Sequence, residues 1–379
     1  MDLFEYEAKQ EFSKHNIPIP NGKLIANAAQ TAKATANLKP PYMVKAQVLT
    51  GGRGKAGGII SAASEKEAEE AAVKLLGAKI RSLPVKKALI EEKFSICREL
   101  YIGITFDRFN RSYVVLTSAV GGVEIEEIAG KTPQAIIRTL IDSQSGMRPF
   151  HALAIAKQLG YSGNQLVKLS TIIQGLWQAC VDNDAELVEI NPLAETETGD
   201  FVAVDARMII DDNALFRHPE YKAQETEALS PQELLAFKNN LSYVKLDGDI
   251  GVIGNGAGLV MATLDLLNLF GGKPANFLDL GGGATIEVIS AAMQLVLAQP
   301  DTKVIIVNVL GGITHCDDVA RGIVEAANEA KAKKPLVVWL VGTNQKEGQR
   351  ILINAGISVL NSMEEAAKQA VEVTRRAQS

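Results

Sequence analysis

Cysteine is scarce in this chain: Cys97, Cys180 and Cys316 are odd in number and widely spaced. That rules out a disulfide framework and a zinc pattern. No apolar run reaches the length of a membrane span, and the opening Met1-Asp2-Leu3-Phe4-Glu5 has neither the basic nor the apolar stretch of an export signal. We therefore expect a cytosolic (cytoplasmic) protein, or the mature form of one from the mitochondrial matrix. Positive charge is not in excess either; a net charge of −5 argues against a general nucleic-acid binder, although a local basic loop remains compatible with it. Internal repeats and low-complexity tracts are missing. With 47% hydrophobic and 22% charged residues the chain has a globular balance, and 379 residues are too many for one ordinary core.

Glycine, by contrast, is concentrated. Thr50-Gly51-Gly52-Arg53-Gly54-Lys55-Ala56-Gly57-Gly58 interleaves five glycines with two cations. Such a loop suits a backbone that closes around a polyanion, because main-chain N–H groups approach phosphate oxygens with no Cβ in the way. A flexible surface hairpin is the plain alternative. A P-loop is excluded, since no glycine stands five residues before Gly54 and Lys55 is followed by Ala56. Before the loop, residues 41–48 read as a strand whose alternation puts Lys45 on the face of Met43 and Gln47, within reach of a phosphate. After it, Ile59 to Ala62 is extended again. Strand, glycine lid and strand make a hairpin over a ligand, unlike a Rossmann turn, which runs from strand into helix.

Leu3 to His15 has helical spacing and stops before Pro18 and Pro20. Lys87 to Glu91, Leu100 to Phe106 and Tyr113 to Ser118 read as strands, with helices expected over Thr132 to Ile141, Pro149 to Leu159 and Leu166 to Asn183. In Glu186-Leu187-Val188-Glu189-Ile190-Asn191-Pro192-Leu193, residues two apart share a strand face, so Glu189 and Asn191 point the same way. A turn at Thr198-Gly199-Asp200 and a second strand, Phe201 to Arg207, return Asp205 near them. Converging hard oxygens of this kind suit Mg²⁺ completed by phosphates and water; a solvated edge hairpin is the bland reading. Glu91 at a strand end, with Phe94 three residues on and Glu99 opening the next strand, could take a ribose hydroxyl and an adenine face.

Beyond a boundary near Ser230 to Tyr243, marked by the polar stretch Ala223 to Glu227, the chain becomes a regular β-α alternation. Five strands each lead into a helix, with glycine loops at Gly254-Asn255-Gly256, Gly281-Gly282-Gly283, Gly311-Gly312-Ile313-Thr314 and Gly342-Thr343. That is a parallel, doubly wound sheet whose ligands bind at the carboxyl ends of its strands. The glycines from Gly254 to Gly258 miss the dinucleotide fingerprint in their third position. Anion binding at helix N-termini is the better use of these loops, with tight turns as the plain one.

Lysine strand, glycine hairpin, acid-and-apolar hinge and Glu-x-Asn hairpin follow the order of an ATP-grasp domain. Leu3-Phe4-Glu5-Tyr6-Glu7-Ala8-Lys9, the 50–58 loop, Gly121-Gly122-Val123-Glu124-Ile125-Glu126, Glu189-Ile190-Asn191-Pro192-Leu193 and Asn213-Ala214-Leu215-Phe216-Arg217 go further: along its whole length the chain resembles the β-subunit family of the succinyl-CoA synthetases. The resemblance implies an α/β protein with an ATP-grasp domain of two α+β subdomains (1–240), then a flavodoxin-like CoA-ligase domain (241–379). It implies ATP or ADP binding by Lys45, Gly52, Arg53, Gly54, Glu91, Phe94 and Glu99, and Mg²⁺ held by Asn191 and Asp205. Asn255, Gly312, Ile313 and Thr314 would hold a dicarboxylate. Glu189 would face a histidine of a partner α subunit, which would also bind most of the CoA, in an αβ or (αβ)₂ assembly. Pro20 matches the ATP-using members better than the GTP-using ones.

Of the four histidines, His15, His151, His218 and His315, only His315 follows a functional-looking loop. The family carries its phosphorylated histidine on the other subunit and has arginine where this chain has His315. The reaction implied is ATP + succinate + CoA = ADP + phosphate + succinyl-CoA. A malate–CoA ligase β subunit would share nearly all of these motifs, and a nucleotide-sensing scaffold without activity is the reading from a different class.

Overall fold

The computed structural model describes residues 1–221, 230–330 and 333–376. They form two compact units, Met1–Glu225 and Thr226–Ser379. The polar stretch Ala223 to Glu227 lies outside the described residues. No described helix is long and apolar enough to cross a membrane.

The first unit opens with α1 (Glu5–Lys14), β1 (Gly22–Ile25), α2 (Thr31–Thr35), β2 (Tyr42–Gln47), β3 (Ile59–Ala62) and α3 (Glu65–Leu75). A short hairpin, β4 (Lys79–Ile80) with β5 (Leu83–Pro84), precedes β6 (Lys87–Glu92). β1, β6, β2 and β3 make an antiparallel sheet in that order, with Lys45 opposite Leu89 and Ile59. Helix α3 covers one face of it. Ser64 caps its N-terminus by accepting the Glu67 N–H at 3.3 Å, and Ala68, Ala71, Ala72 and Leu75 recur at the helical period to bury one stripe. The glycine loop therefore spans β2 and β3, the hairpin expected of it.

Next come β7 (Ile96–Asp107), β8 (Ser112–Ser118), α4 (Ile125–Lys131), β9 (Ile136–Ile141), α5 (Pro149–Gln158) and α6 (Gly163–Asp182). The unit's strands end with β10 (Ala185–Thr196), β11 (Phe201–Ala203) and β12 (Arg207–Ile210). β11, β10, β7, β8 and β9 form a second antiparallel sheet, and β12 also pairs with β10. Two expectations are corrected here. Thr132 to Ile141 is not a helix: after a single 3-10 turn at Pro133–Ala135, β9 pairs with β8 from Ile136↔Ser118 to Ile141↔Tyr113. Ile136, Ile137, Thr139 and Ile141 are β-branched and fit a pleated surface, and the open edge of β8 offers the partner that overrides the helical reading. Nor is Phe201 to Arg207 one strand. β11 pairs at Leu193↔Ala203 and β12 at Glu189↔Arg207, so residues 204–206 leave the ladder between them.

The second unit holds α7 (Pro231–Lys238), β13 (Ser242–Lys245), β14 (Ile250–Gly254), α8 (Ala257–Leu269), β15 (Asn276–Asp279) and α9 (Ile286–Leu297). It continues with β16 (Val304–Gly311), α10 (Cys316–Glu329), β17 (Leu336–Gly342), α11 (Gln345–Asn354), β18 (Ser358–Leu360) and α12 (Met363–Arg376). The strand order is β13-β15-β14-β16-β17-β18, parallel except for β13, which adds an antiparallel edge. Apolar strands such as Val304–Val309 are buried between helices on both faces, as doubly wound sheets require. Chain order reverses between β14 and β16, the place where such sheets bind ligands.

Two glycines of this unit separate strain from space. Gly342 has φ +130°, and a Cβ there would fall 1.9 Å from the Gly311 carbonyl oxygen. Gly256 has φ +98° with open space around it. Gly342→Ala should cost about 2–4 kcal/mol and Gly256→Ala about 1 kcal/mol, read as shifts of the urea midpoint.

Candidate functional site

Three cations and three carboxylates of the first unit meet in one buried cluster. Glu5, in the first turn of α1, accepts Lys9 at 2.8 Å and Lys45 at 2.9 Å on Oε1, and Arg53 at 2.7 Å on Oε2. Glu91, on β6, takes Lys9 at 2.7 Å and Lys45 at 2.9 Å. Arg53 also reaches Asp205 Oδ1 at 2.6 Å. Lys9 donates to the Val204 carbonyl at 2.8 Å, and Lys45 donates to the same oxygen. The break between β11 and β12 turns that carbonyl and Asp205 toward the cations. Asp205 is the outermost member, with 30% of its side chain exposed against 8% or less for the other five.

Charges this deep survive only when paired. Burial pushes the Glu5 carboxyl toward protonation, but Arg53, then Lys45 and Lys9, outweigh it and hold its pKa well below the ordinary value. Burial likewise opposes the Lys45 ammonium, and the pull of Glu5, then Glu91 and Asp205, lifts its pKa above the usual lysine range. Arg53 is raised in the same way by Glu5 and Asp205.

In front of the cluster lies a cavity of about 270 Å³, walled by the 51–55 glycine loop, the 122–126 turn, Glu189, Asn191, Asp205 and Arg207. The Gly58 N–H bonds the Arg53 carbonyl at 2.8 Å, and Arg53 Nη1 donates to the Ala46 carbonyl at 3.2 Å. These bonds fold the loop back onto the end of β2. At the rim, Lys55 pairs with Glu127 at 3.1 Å, and the hydrogen bonds of Lys131 and Lys55 draw that exposed carboxyl down to about 2. Asn191 fixes the opposite wall: its Oδ1 accepts the Gly122 N–H and its Nδ2 donates to the Val123 carbonyl, both at 2.9 Å. Burial raises the pKa of Glu189, aided by Asp205 and Glu126 and opposed by Arg207 and a bond from Asn191. It is a better proton acceptor for that reason.

Six of the residues selected from sequence border this cavity: Gly52, Arg53, Gly54, Glu189, Asn191 and Asp205. Lys45 and Glu91 lie behind its wall in the charge cluster, and Glu91, 2% exposed, is turned to the two lysines. Phe94 and Glu99 are outside the wall. Glu99 rests against the backbone of Gly122, where a Cβ would meet its Oε2 at 2.1 Å. Glu5 and Lys9 carry no role in the sequence reading. The signal was available: Glu5, Ala8, Lys9 and Phe12 share one helical face, and all four are buried.

In the second unit the four acid-site candidates gather where the strand order reverses. Asn255 donates Nδ2 to the Leu310 carbonyl and accepts the Leu310 N–H, each at 2.9 Å, which bridges the ends of β14 and β16. Thr314, 2% exposed, accepts the Gly283 N–H at 3.0 Å, and the Gly312 carbonyl accepts Thr343 Oγ1 at 3.0 Å. Ile313 is 83% exposed. Asp279 ties the loops together by accepting the Gly256 N–H at 2.5 Å and the Gly281 N–H at 2.8 Å, a residue missing from the sequence reading. Thr285 precedes α9 as its N-cap, so free N–H groups of that helix face the loop end. His315 precedes α10, with Nδ1 4.0 Å from Asp318.

The family model described as ATP-grasp domain matches residues 2–195, and the one described as CoA-ligase matches residues 253–373. The chain is 48% identical over 377 residues, 100% of both chains, to a protein of Ignicoccus hospitalis named ADP-forming succinate–CoA ligase subunit beta. A protein of Herpetosiphon aurantiacus with the same name is 44% identical over 378 residues, 99% of this chain and 100% of its own. A GDP-forming counterpart from Thermus thermophilus is 44% identical over 369 residues, 97% of each chain. Among solved structures, ATP citrate lyase from Methanothrix soehngenii in complex with citrate and coenzyme A is similar in fold, with a TM-score of 0.74 at 20% identity, covering 98% of this chain and 99% of that one.

The cluster makes a pH-dependent prediction. Glu5's folded-state pKa lies below the ordinary 4.5, so the stability it contributes is complete above that pH and is lost as pH falls through the depressed value. Lys9→Met should cost about 3–5 kcal/mol at pH 7 by leaving the carboxylates under-compensated. Near pH 4 the deficit should narrow, because Glu5, freed from one of its three cations, takes up a proton more readily in the folded state. Urea unfolding at the two pH values measures it; an unchanged deficit would show that Lys9 acts through packing alone.

Proposed function

The chain belongs to the succinate–CoA ligase β-subunit family, and we propose that it binds ATP in the first unit and uses it, with a partner α subunit, to join succinate to CoA. The carrying observation is the cavity wall on which the glycine loop, Arg53, Glu189, Asn191 and Asp205 meet. A polyphosphate lying there meets main-chain N–H groups, the Arg53 guanidinium and the charge of Lys45 behind it. Little else is asked of a protein in phosphoryl transfer than such positioning and charge stabilisation.

Asn191 and Asp205 would hold Mg²⁺, and the donor set fits, since an amide and a carboxylate oxygen on one wall are hard ligands that leave room for phosphate and water. When bound, that ion neutralises phosphate charge. Glu189 acts on the partner: its carboxylate orients the imidazole of the partner's histidine and accepts a ring proton while the other ring nitrogen takes the γ-phosphoryl group. The partner's phosphohistidine then phosphorylates succinate, and the acyl phosphate yields succinyl-CoA and phosphate when the CoA thiol attacks. Splitting the condensation into covalent steps lowers each barrier. In the second unit Asn255, Gly312, Ile313 and Thr314 would hold the dicarboxylate, and the N-terminus of α9 would favour the phosphorylated side chain through its free N–H groups. The names of the full-length relatives favour succinate over malate as that acid.

The full chain copurified with its α subunit should form succinyl-CoA from ATP, succinate and CoA, and should transfer labelled phosphate from ATP to an acid-labile site on the partner. Glu189→Ala should lower that transfer by about 100-fold or more, while ATP affinity stays within about threefold. Transfer at the normal rate would remove Glu189 from the step, and a pair that activates malate but not succinate would change the substrate.

A further inference from the structure

The segment Leu3 to Lys9 is a sequence motif that the proposed reaction leaves without a task, yet it supplies the centre of the charge cluster. We propose that Glu5 is a positioning residue for the phosphate grip, holding Lys45 and Arg53 side by side with one carboxylate oxygen on each cation. The inference rests on the reading of the cavity as a nucleotide site.

The geometry is specific. Lys45 lies 2.9 Å from Oε1 and Arg53 2.7 Å from Oε2, so a single carboxylate spans two cations that would otherwise repel. Glu5 is itself held from two further sides. Lys9 contacts Oε1 at 2.8 Å, and Gln47 Nε2 donates to Oε2 at 3.2 Å while its own Oε1 accepts the Tyr6 N–H at 3.1 Å. With 1% of its side chain exposed, Glu5 borders the cavity. Remove its charge, and the cations keep different partners on different elements: Lys45 keeps Glu91 on β6 and the Val204 carbonyl, whereas Arg53 keeps Asp205 and the Ala46 carbonyl. Each cation is then drawn to its own remaining acid, and the pair loses the spacing that a phosphate chain would find ready-made. Preorganisation of this kind is what a binding site gains from rigid support.

Two effects of opposite sign make the proposal decidable. The cluster is neutral, with Lys9, Lys45 and Arg53 against Glu5, Glu91 and Asp205. Loss of the Glu5 charge leaves one net positive charge, which by Coulomb attraction alone would tighten binding of an anion. Loss of positioning weakens it.

Isothermal calorimetry of the full chain with Mg–ADP separates them. Glu5→Gln should raise Kd by about 10- to 100-fold at unchanged stoichiometry, and Glu5→Asp, which keeps the charge on a shorter arm, should raise it by about three- to tenfold. Phe12→Leu, on the buried face of the same helix, should lower the melting temperature and leave Kd within about twofold. An unchanged or lower Kd for Glu5→Gln overturns the proposal, as does a loss that appears as reduced stoichiometry or is matched by Phe12→Leu. Should Glu5→Gln not fold, Glu5→Asp decides, and wild-type affinity in that variant overturns it. Wild-type chain that gives no heat with Mg–ADP refutes the nucleotide reading itself, a result distinct from all of these.

Discussion

The first unit is organised around a buried ionic contact, the carboxylate of Glu5 against Lys9, Lys45 and Arg53. Ions out of water are costly unless each finds counter-charge and hydrogen bonds, and here every member of the cluster finds both. The requirement constrains elements far apart in the chain. Helix α1, strand β2, the glycine loop, strand β6 and the break between β11 and β12 must each deliver one or two groups to the same small volume. A cluster that is neutral when complete and left with one uncompensated buried charge when any member is missing penalises every misplacement. It thereby ties the N-terminal helix to the loop that borders the cavity.

Side-chain contacts fix the backbone on both sides of that cavity. Asn191 reads two backbone groups of the 122–123 turn through one side-chain amide, which fixes the wall from which Glu189 and Asp205 project. The glycine loop is held chiefly through Arg53, whose guanidinium pairs with Asp205, the outermost member of the cluster. The second unit uses the same device. Asn255 bridges the ends of β14 and β16, and Asp279 gathers two glycine-loop N–H groups. In both units short polar side chains satisfy the backbone of loops that glycine alone would leave loose.

Where local pattern and tertiary context agree, the fold was legible. The β-α alternation of the second unit, the hairpin around residues 50–58 and helices α1, α5 and α6 follow from apolar period, glycine and proline placement. Thr132 to Ile141 misled because its isoleucines suit either period, and only the free edge of β8 decides between them. The edge strand β13 escaped notice because a four-residue, mostly exposed segment carries almost no periodic signal. Of the site, the glycines, Arg53, Glu189, Asn191 and Asp205 could be chosen from residue type and strand alternation. Glu91 shows as a strand-end acid that could take a ribose hydroxyl; that Lys9 and Lys45 meet its carboxylate is visible only in space.

The amino-acid sequence by itself determined the chemistry available: a glycine loop with two cations, hard oxygens two apart on a strand, five strands leading into helices, four of them through glycine loops, and no disulfide or membrane-spanning run. Those properties are local, set by residue type and by spacings of a few positions. Which charges meet was decided only by the tertiary structure, because Glu5 and Lys45 are 40 residues apart and Arg53 and Asp205 are 152 apart. No short-range pattern encodes such pairs. They follow from two sheets and a helix closing on one another, and from the need of every buried ion to find its opposite.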